Sequence, residues 1–405
     1  MHPSEEDGAT NTLESESMAL FLRRGTAQIE RVESVGRGTL RQFPRAGKLA
    51  SRTLVAGGIR MAYGTAGSLE RLAARYGTQL LQRPADQAAP DLRTWSDTLD
   101  ASFDPVTSEV AELRQSGNFG FEEDTRRGKA DSARFEPDGG VLELQGQARV
   151  TSEGGDLSAR QIVLDRASGR VSAGGDVTGF LIRDPDAAEQ SGRPGMFSDQ
   201  QPVFLAAGAL VSDPESQTVE YRNGARLWQG RNRVDADRIV IDQASNQISA
   251  RENVEAAWAE GAGNASGVAP LSIVRSDRMR YEALAGVARF EGAVDFRRQG
   301  LRVLADELQT SLGAGGEDAE PRAVAAGSVR IADPPDGSGH RAFGDRAEFD
   351  TAASEVVLTG QPARILMPDG TESEGGSLTY RIAGDRLLVL GRRAERAYTY
   401  RPASR

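Results

Sequence analysis

Two segments of this chain are near copies of each other: Ala159-Arg-Gln-Ile-Val-Leu-Asp165 and Ala236-Asp-Arg-Ile-Val-Ile-Asp242. In each, apolar residues alternate with other types, and an Asp closes the run. A repeat constrains a fold more than a lone motif does, because every copy must bury the same face against its neighbours. Related runs stand at Asp131–Glu136, Asp277–Glu282, Asp306–Gln309 and Asp345–Asp350. Weaker versions occur at Ile59–Tyr63, Asp100–Asp104, Ala207–Val211 and Ser377–Tyr380, which makes about ten copies in all. Three of the gaps between copies are 29 residues, and the others are lengthened by insertions.

Each unit has a second half, written apolar-x-apolar, a Gly-containing turn, then x-Val/Ala-x-apolar. Examples are Leu142–Val150, Ala288–Phe296 and Val356–Ile365, the last with Pro362 at a bend or edge. Alternation with period two is the strand signal. Polar stretches such as Asp165–Gly169, Asp242–Asn246 and Asp350–Ser354 suit tight turns. The spacing predicts hairpins of antiparallel strands. It places Asp237 and Asp345 at strand starts, and Asp242 and Asp350 in turns. Carboxylates that recur with a repeat read as structural rather than catalytic.

One apolar row is expected to face inward: Phe135, Ile162, Leu164, Ile239, Ile241, Met279, Tyr281, Phe290, Leu308, Phe349 and Leu358. Arg134, Arg238, Arg278, Arg280, Arg346 and Glu348 should point the other way. One dry face and one wet face describe antiparallel sheets folded over an interior. Helix is scarce; the best candidate is Ala66–Tyr76, with Leu69, Leu72 and Ala73 at helical spacing, and a strand pattern competes there.

Composition narrows the chemistry. Hydrophobic residues make up 38% of 405, low for a thick globular core, and the regular spacing predicts an elongated body. Absence of cysteine removes disulfides, thiolate nucleophiles and Cys-ligated metals. The two histidines, His2 and His340, leave little for general-base or metal chemistry. A net charge of −10 argues against nucleic acid as a partner. Phosphate-loop and nucleophile-elbow motifs are missing. The reading is of a protein that is not an enzyme, with no cofactor and no metal site. Trp95, Trp228 and Trp258 are open between core filling and ligand lining.

No apolar run reaches 18 residues. The polar start carries no leader pattern. Met18–Ile29 reads as the closing half of a unit, so an upstream segment with a targeting signal is expected, a capping repeat being the alternative. The expected organisation is an N-terminal tail with a partial repeat (1–57), a first β segment (58–183), a polar linker or long loop (184–202) and a second β segment (203–405). Shorter insertions fall at Glu260–Pro270, Gly313–Pro321 and Asp333–Gly339.

The repeated form A-D-x-I-x-I-D, a short turn, then I-x-A-x-G-x-V-x-apolar resembles the OstA-like, or LptA, family. Ala236–Asp242 with Ile248–Ala256, Ala159–Asp165 with Val171–Val177, and Asp277–Glu282 with Ala288–Phe296 carry the resemblance. It covers most of residues 58–390. It implies an elongated antiparallel β-jellyroll in the periplasm that shields lipid A acyl chains of lipopolysaccharide between the inner and outer membranes. It also implies docking, through edge strands, to other jellyrolls of the transport system or to further copies. The inward row would then line the lipid groove. This chain is longer than a single bridge module, so two modules, or an LptC-type component joined to LptA-type repeats, are expected. The alternative is a structural or adhesive repeat scaffold, such as a β-solenoid with parallel rungs. A carbohydrate-active enzyme would need one pair of inward carboxylates in a cleft.

Overall fold

A computed structural model describes residues 10–43, 51–84, 89–107, 109–136, 140–182, 196–197, 201–259, 270–298, 300–312, 322–334, 339–350, 355–381, 386–391 and 397–401. These residues form 24 strands and no helix. The chain divides into two compact units, Met1–Gly179 with Ala209–Glu215, and Phe180–Gly208 with Ser216–Arg405.

Unit 1 holds β1 (Thr10–Leu22), β2 (Ile29–Phe43), β3 (Ser51–Tyr63), β4 (Leu69–Arg83), β5 (Leu92–Ser96), β6 (Thr98–Phe103), β7 (Val110–Glu123), β8 (Arg126–Glu136), β9 (Val141–Ser152) and β10 (Gly155–Asp165). Apart from β5 and β6, each pairs antiparallel with the next. The short strands β5 and β6 act as one strand broken at Asp97, and both bridge β4 to β7. β11 (Val171–Leu181) and β12 (Val203–Asp213) lie where the units divide.

Unit 2 holds β13 (Thr218–Gln229), β14 (Asn232–Asp242), β15 (Gln247–Ala259), β16 (Leu271–Glu282), β17 (Val287–Arg298), β18 (Leu301–Ser311), β19 (Arg322–Asp333), β20 (His340–Asp350), β21 (Glu355–Leu366), β22 (Glu372–Arg381), β23 (Arg386–Leu390) and β24 (Tyr398–Tyr400). Its ladder is antiparallel throughout, with β22 paired to both β23 and β24. The hairpin topology excludes the parallel rungs of a solenoid within each ladder. The minimum repeat is one hairpin: two long strands with their turns.

Most long strands break register near the middle, and this corrects the reading of the repeat. The Gly-containing segments expected as turns, Leu142–Val150 and Ala288–Phe296, each lie inside a single strand. Their glycines are at kinks. Two consecutive residues take left-handed φ there, Gly146 (74°) with Gln147 (45°) and Gly292 (80°) with Ala293 (45°). Gly117–Asn118, Asn223–Gly224, Glu252–Asn253 and Gly327–Ser328 repeat the device. An inserted residue bends a strand and shifts its pairing.

Asp237 and Asp345 are not at strand starts but mid-strand, in the kink zone. The repeat's Asp residues there meet the neighbouring kink. A Cβ at Gly146, Gly292 or Gly327 would run into Asp131, Asp277 or Asp306 respectively. At β14–β15 the contact is a hydrogen bond from Asn253 Nδ2 to Asp237 Oδ2, 2.7 Å. In unit 1 Asp97 holds this place, not Asp100, with Asn118 donating to it at 3.0 Å. The turn assignment stands for Asp165 and Asp242. Asp165 Oδ1 accepts from the amides of Ala167 and Ser168, and Asp242 Oδ1 from that of Ser245. Asp350 ends β20, and 351–354 lie outside the described residues. The stretch Ala66–Tyr76 is no helix: from Leu69 it is strand, with Leu69, Leu72 and Ala74 buried.

The kink also changes which side chains face in. In β14, Val234 and Ala236 are buried before it and Ile239 after it. The phase of alternation therefore slips by one. Each strand contributes one half to each of two walls, and the core lies between them. In unit 2, Trp258 from one wall stacks on Phe290 from the other, ring centroids 6.1 Å apart. This is a β-jellyroll built of bent antiparallel strands.

Candidate functional site

The interior between the walls is the feature with chemical character. In unit 2 the cross-strand pairs line up into rows. One row runs Ile241, Ile248, Tyr281, Ala288, Thr310, Ala323 and on to Phe349 and Val356. The next row, nearer the kinks, runs Ile239, Ala250, Met279, Phe290, Leu308, Ala325, Ala347 and Leu358. All five predicted unit 2 residues of this second row are buried, as are Tyr281 and Phe349, while Ile241 is half-buried. In unit 1, Leu142 pairs with both Phe135 and Leu164, and Leu144 pairs with Ile162. Ile162 is buried; Phe135 and Leu164 are half-buried. Arg134, Arg238, Arg278, Arg280 and Arg346 are exposed on the opposite face.

Sequence reasoning missed the facing wall. There Val234, Ala256, Val274, Phe296 and Val303 make an equivalent row. Its signal was present in the x-Val/Ala-x-apolar halves, but strict period two carried backward from Ile239 points to Asp237 and Asp235 instead. The three tryptophans diverge. Trp258 is buried between Phe290 and Phe296, Trp228 stacks on Phe204, and Trp95 is partly exposed against Gly120.

Two of the free spaces are small and apolar. In unit 2 about 40 Å³ opens between Leu358 and Val356 on one wall and Ile331 and Ile365 on the other, with Asp333 and His340 on its border. Leu358 alone of the predicted row borders it. In unit 1 about 40 Å³ opens among Leu40, Leu54, Leu72, Leu99 and Val110, bordered by Asn11, Gln42 and Arg52. Burial lowers the Arg52 pKa from its ordinary value, against an opposing pull from Glu109. Both spaces are far smaller than the several hundred Å³ of an ordinary ligand pocket.

The long insertion meets this interior. Most of 184–202 lies outside the described residues, as do His2 and almost all of the three shorter insertions. Met196 and Phe197 are described, and both are buried. The Met196 amide donates to Tyr281 Oη at 2.8 Å, and its carbonyl accepts from Asn232 Nδ2 at 2.6 Å. Tyr221 Oη, also buried, has no hydrogen-bond partner among the described residues. Burial pushes its phenol well above the ordinary range.

The outer faces carry ion pairs. Glu255 is shared by Arg275 (2.8 Å) and Arg233, and Asp295 by Arg297 and Arg302. Burial alone would raise both carboxyl pKa values, but the arginine hydrogen bonds and charges hold them below the usual range. Among the described residues no group of His, Asp and Glu is arranged to hold a metal ion.

Bent antiparallel strands around a largely apolar interior define a β-jellyroll. Residues 273–386 match the family described as LptA/(LptD N-terminal domain) LPS transport protein. The matched span contains β17 to β22 and the unit 2 space beside Leu358. Among solved structures, the chain is similar to LptH of Pseudomonas aeruginosa, the LptA-homologous periplasmic component of its lipopolysaccharide transport device. Identity is 15% over 32% of this chain and 93% of that one, with a TM-score of 0.28. No curated protein sequence matches the chain.

Proposed function

We propose that this protein binds the acyl chains of lipopolysaccharide between its walls and passes the lipid across the periplasm, as part of a jellyroll bridge to the outer membrane. The observation that carries the reading is the pair of continuous inward rows in unit 2, apolar except at Thr310, over a span matching a lipopolysaccharide-transport family. The residues proposed to meet lipid in unit 2 are Ile241, Tyr281, Phe349 and Leu358, with the deeper row as their floor; Phe135, Ile162 and Leu164 are proposed to do so within unit 1. No catalytic step or cofactor is needed. Burying acyl surface is favourable by roughly 25 cal/mol per Å². Transfer then needs only similar affinity from site to site.

Other jellyrolls of the same system, or further copies, would dock at the terminal strands. Leu20 and Leu22 of β1, and Leu388 and Leu390 of β23, are exposed. Edge strands with apolar side chains pair readily with another chain.

The scaffold alternative is supported by the stacking of Trp258 on Phe290, which fills the interior at that level. A polarity-sensitive fluorescent fatty acid titrated into the purified protein separates the two. Saturable blue-shifted emission, displaced by lipopolysaccharide, is expected of a carrier. No saturable signal from folded protein would favour the scaffold.

A further inference from the structure

The mouth of unit 1 combines an apolar row with a polar one. Across β1 to β4, the apolar row Leu13, Leu40, Leu54 and Leu80 pairs rung by rung. Two residues further along each strand, on the same face, stands a polar row: Asn11, Gln42, Arg52 and Gln82. Asn11, Gln42 and Arg52 border the apolar space of this unit together with Leu40, Leu54 and Leu99. A wall apolar at depth and polar at its rim matches an amphiphile.

Arg52 is the charged member of that rim, and it is half-buried. Its Nη1 donates to Gln42 Oε1 at 3.3 Å and its Nε to Gln82 Oε1 at 3.5 Å, both long and to neutral acceptors. Among the described residues no carboxylate lies within ion-pair distance of it. Arg41, Arg60, Arg75, Arg114 and Arg134 of the same unit each hold one. The nearest acidic influence is Glu109, exposed just before β7. A guanidinium drawn out of water without an anion is unfavourable. Its planar fork is suited to bidentate contact with phosphate or carboxylate.

The geometry points to the mouth of unit 1 as a binding site for an anionic amphiphile, its phosphate or carboxylate head held by Arg52 between Gln42 and Gln82 and its chain directed toward Leu54 and Leu99. The site rests on the reading that the walls admit acyl chains, and adds a head-group selection made by one residue.

Chain-matched probes test it: dodecyl phosphate, dodecanoate and the neutral dodecyl maltoside, each titrated below its micelle concentration, with inorganic phosphate as the head alone. Dodecyl phosphate should bind at least about tenfold tighter than the maltoside, the range of a charge-assisted bidentate contact. Arg52→Gln should abolish that difference while leaving maltoside binding and the melting temperature unchanged. Arg52→Lys should keep part of it, and Glu109→Gln should widen it. A dodecanoate affinity equal to that of dodecyl phosphate assigns the site to anionic heads in general; a weaker one assigns it to phosphate. Equal binding of charged and neutral probes, or a charge preference surviving in Arg52→Gln, overturns the site and leaves acyl binding standing. No binding of any alkyl probe overturns the acyl reading along with it.

Discussion

Gly292 and Asp277 compete for one volume. They face each other across β16 and β17, and a Cβ at Gly292 would lie 2.9 Å from that of Asp277 and closer still to its carboxylate. Gly292 also takes φ of 80°, where only glycine is unstrained. The Asp of the repeat and the Gly of the next strand are therefore one device, a kink in which each residue requires the other. Gly292→Ala should destabilise unit 2 by about 1–3 kcal/mol, in the range of a strained backbone position. Combining it with Asp277→Ala should recover part of the loss, leaving the φ penalty. Thermal melts of the two single variants and the double give the coupling directly.

The apolar rows should dominate stability. Phe290 is fully buried and stacked on Trp258. Phe290→Ala should cost about 3–5 kcal/mol. Arg280→Ala on the outer face should stay within about 0.5 kcal/mol. Denaturant unfolding followed by tryptophan fluorescence compares them.

Tyr221 offers a substitution in the opposite direction. Its buried hydroxyl has no hydrogen-bond partner among the described residues. A buried polar group left unpaired costs about 1–3 kcal/mol. Tyr221→Phe keeps the ring and removes the hydroxyl, so the variant should melt at or above the temperature of the parent protein.

Acid should loosen unit 2 through Glu255 and Asp295. Arginine contacts hold both folded-state carboxyl pKa values below their ordinary ones, despite burial that acts the other way. A depressed carboxylate contributes stability that is complete above its unfolded pKa, about 4, and is lost as pH falls through the lower folded value. Stability should be flat from neutral pH down to about 5 and fall below about 4. Asp295→Asn should flatten the lower part of that fall, read from melting temperatures across the acid range.

Much of the fold was legible in the sequence. Ile239 with Ile241, and Met279 with Tyr281, show period two plainly, and turn residues such as Asp242 gave the hairpins. The kink was not legible, because Gly292 followed by Ala293 looks the same in sequence whether the chain reverses there or only bends. That ambiguity made one bent strand read as two short ones and hid the facing wall of Val234, Val274 and Phe296. Met196 was hidden for another reason: two apolar residues in a polar insertion carry no period, and only the Tyr281 and Asn232 hydrogen bonds reveal that they pack inside. Arg52 was unreadable because an isolated arginine in a strand gives no sign of whether a carboxylate waits across the ladder.

Docking through β1 is testable by charge. Leu20→Lys with Leu22→Lys places two cations on an exposed apolar edge strand. End-to-end association in sedimentation velocity should weaken by about tenfold or more, as edge charges block strand addition, while the melting temperature holds.

The central claim is that lipid lies between the walls, and site-specific photocrosslinking in cells that make lipopolysaccharide tests it most directly. A photoreactive residue would replace Ile241, half-buried on the inward row, or Leu358 beside the apolar space, with Arg280 on the outer face as control. Lipopolysaccharide adducts at Ile241 and Leu358, and none at Arg280, are the predicted result. Adducts at none of the three positions in folded protein would contradict the account and leave the inward rows as an ordinary core.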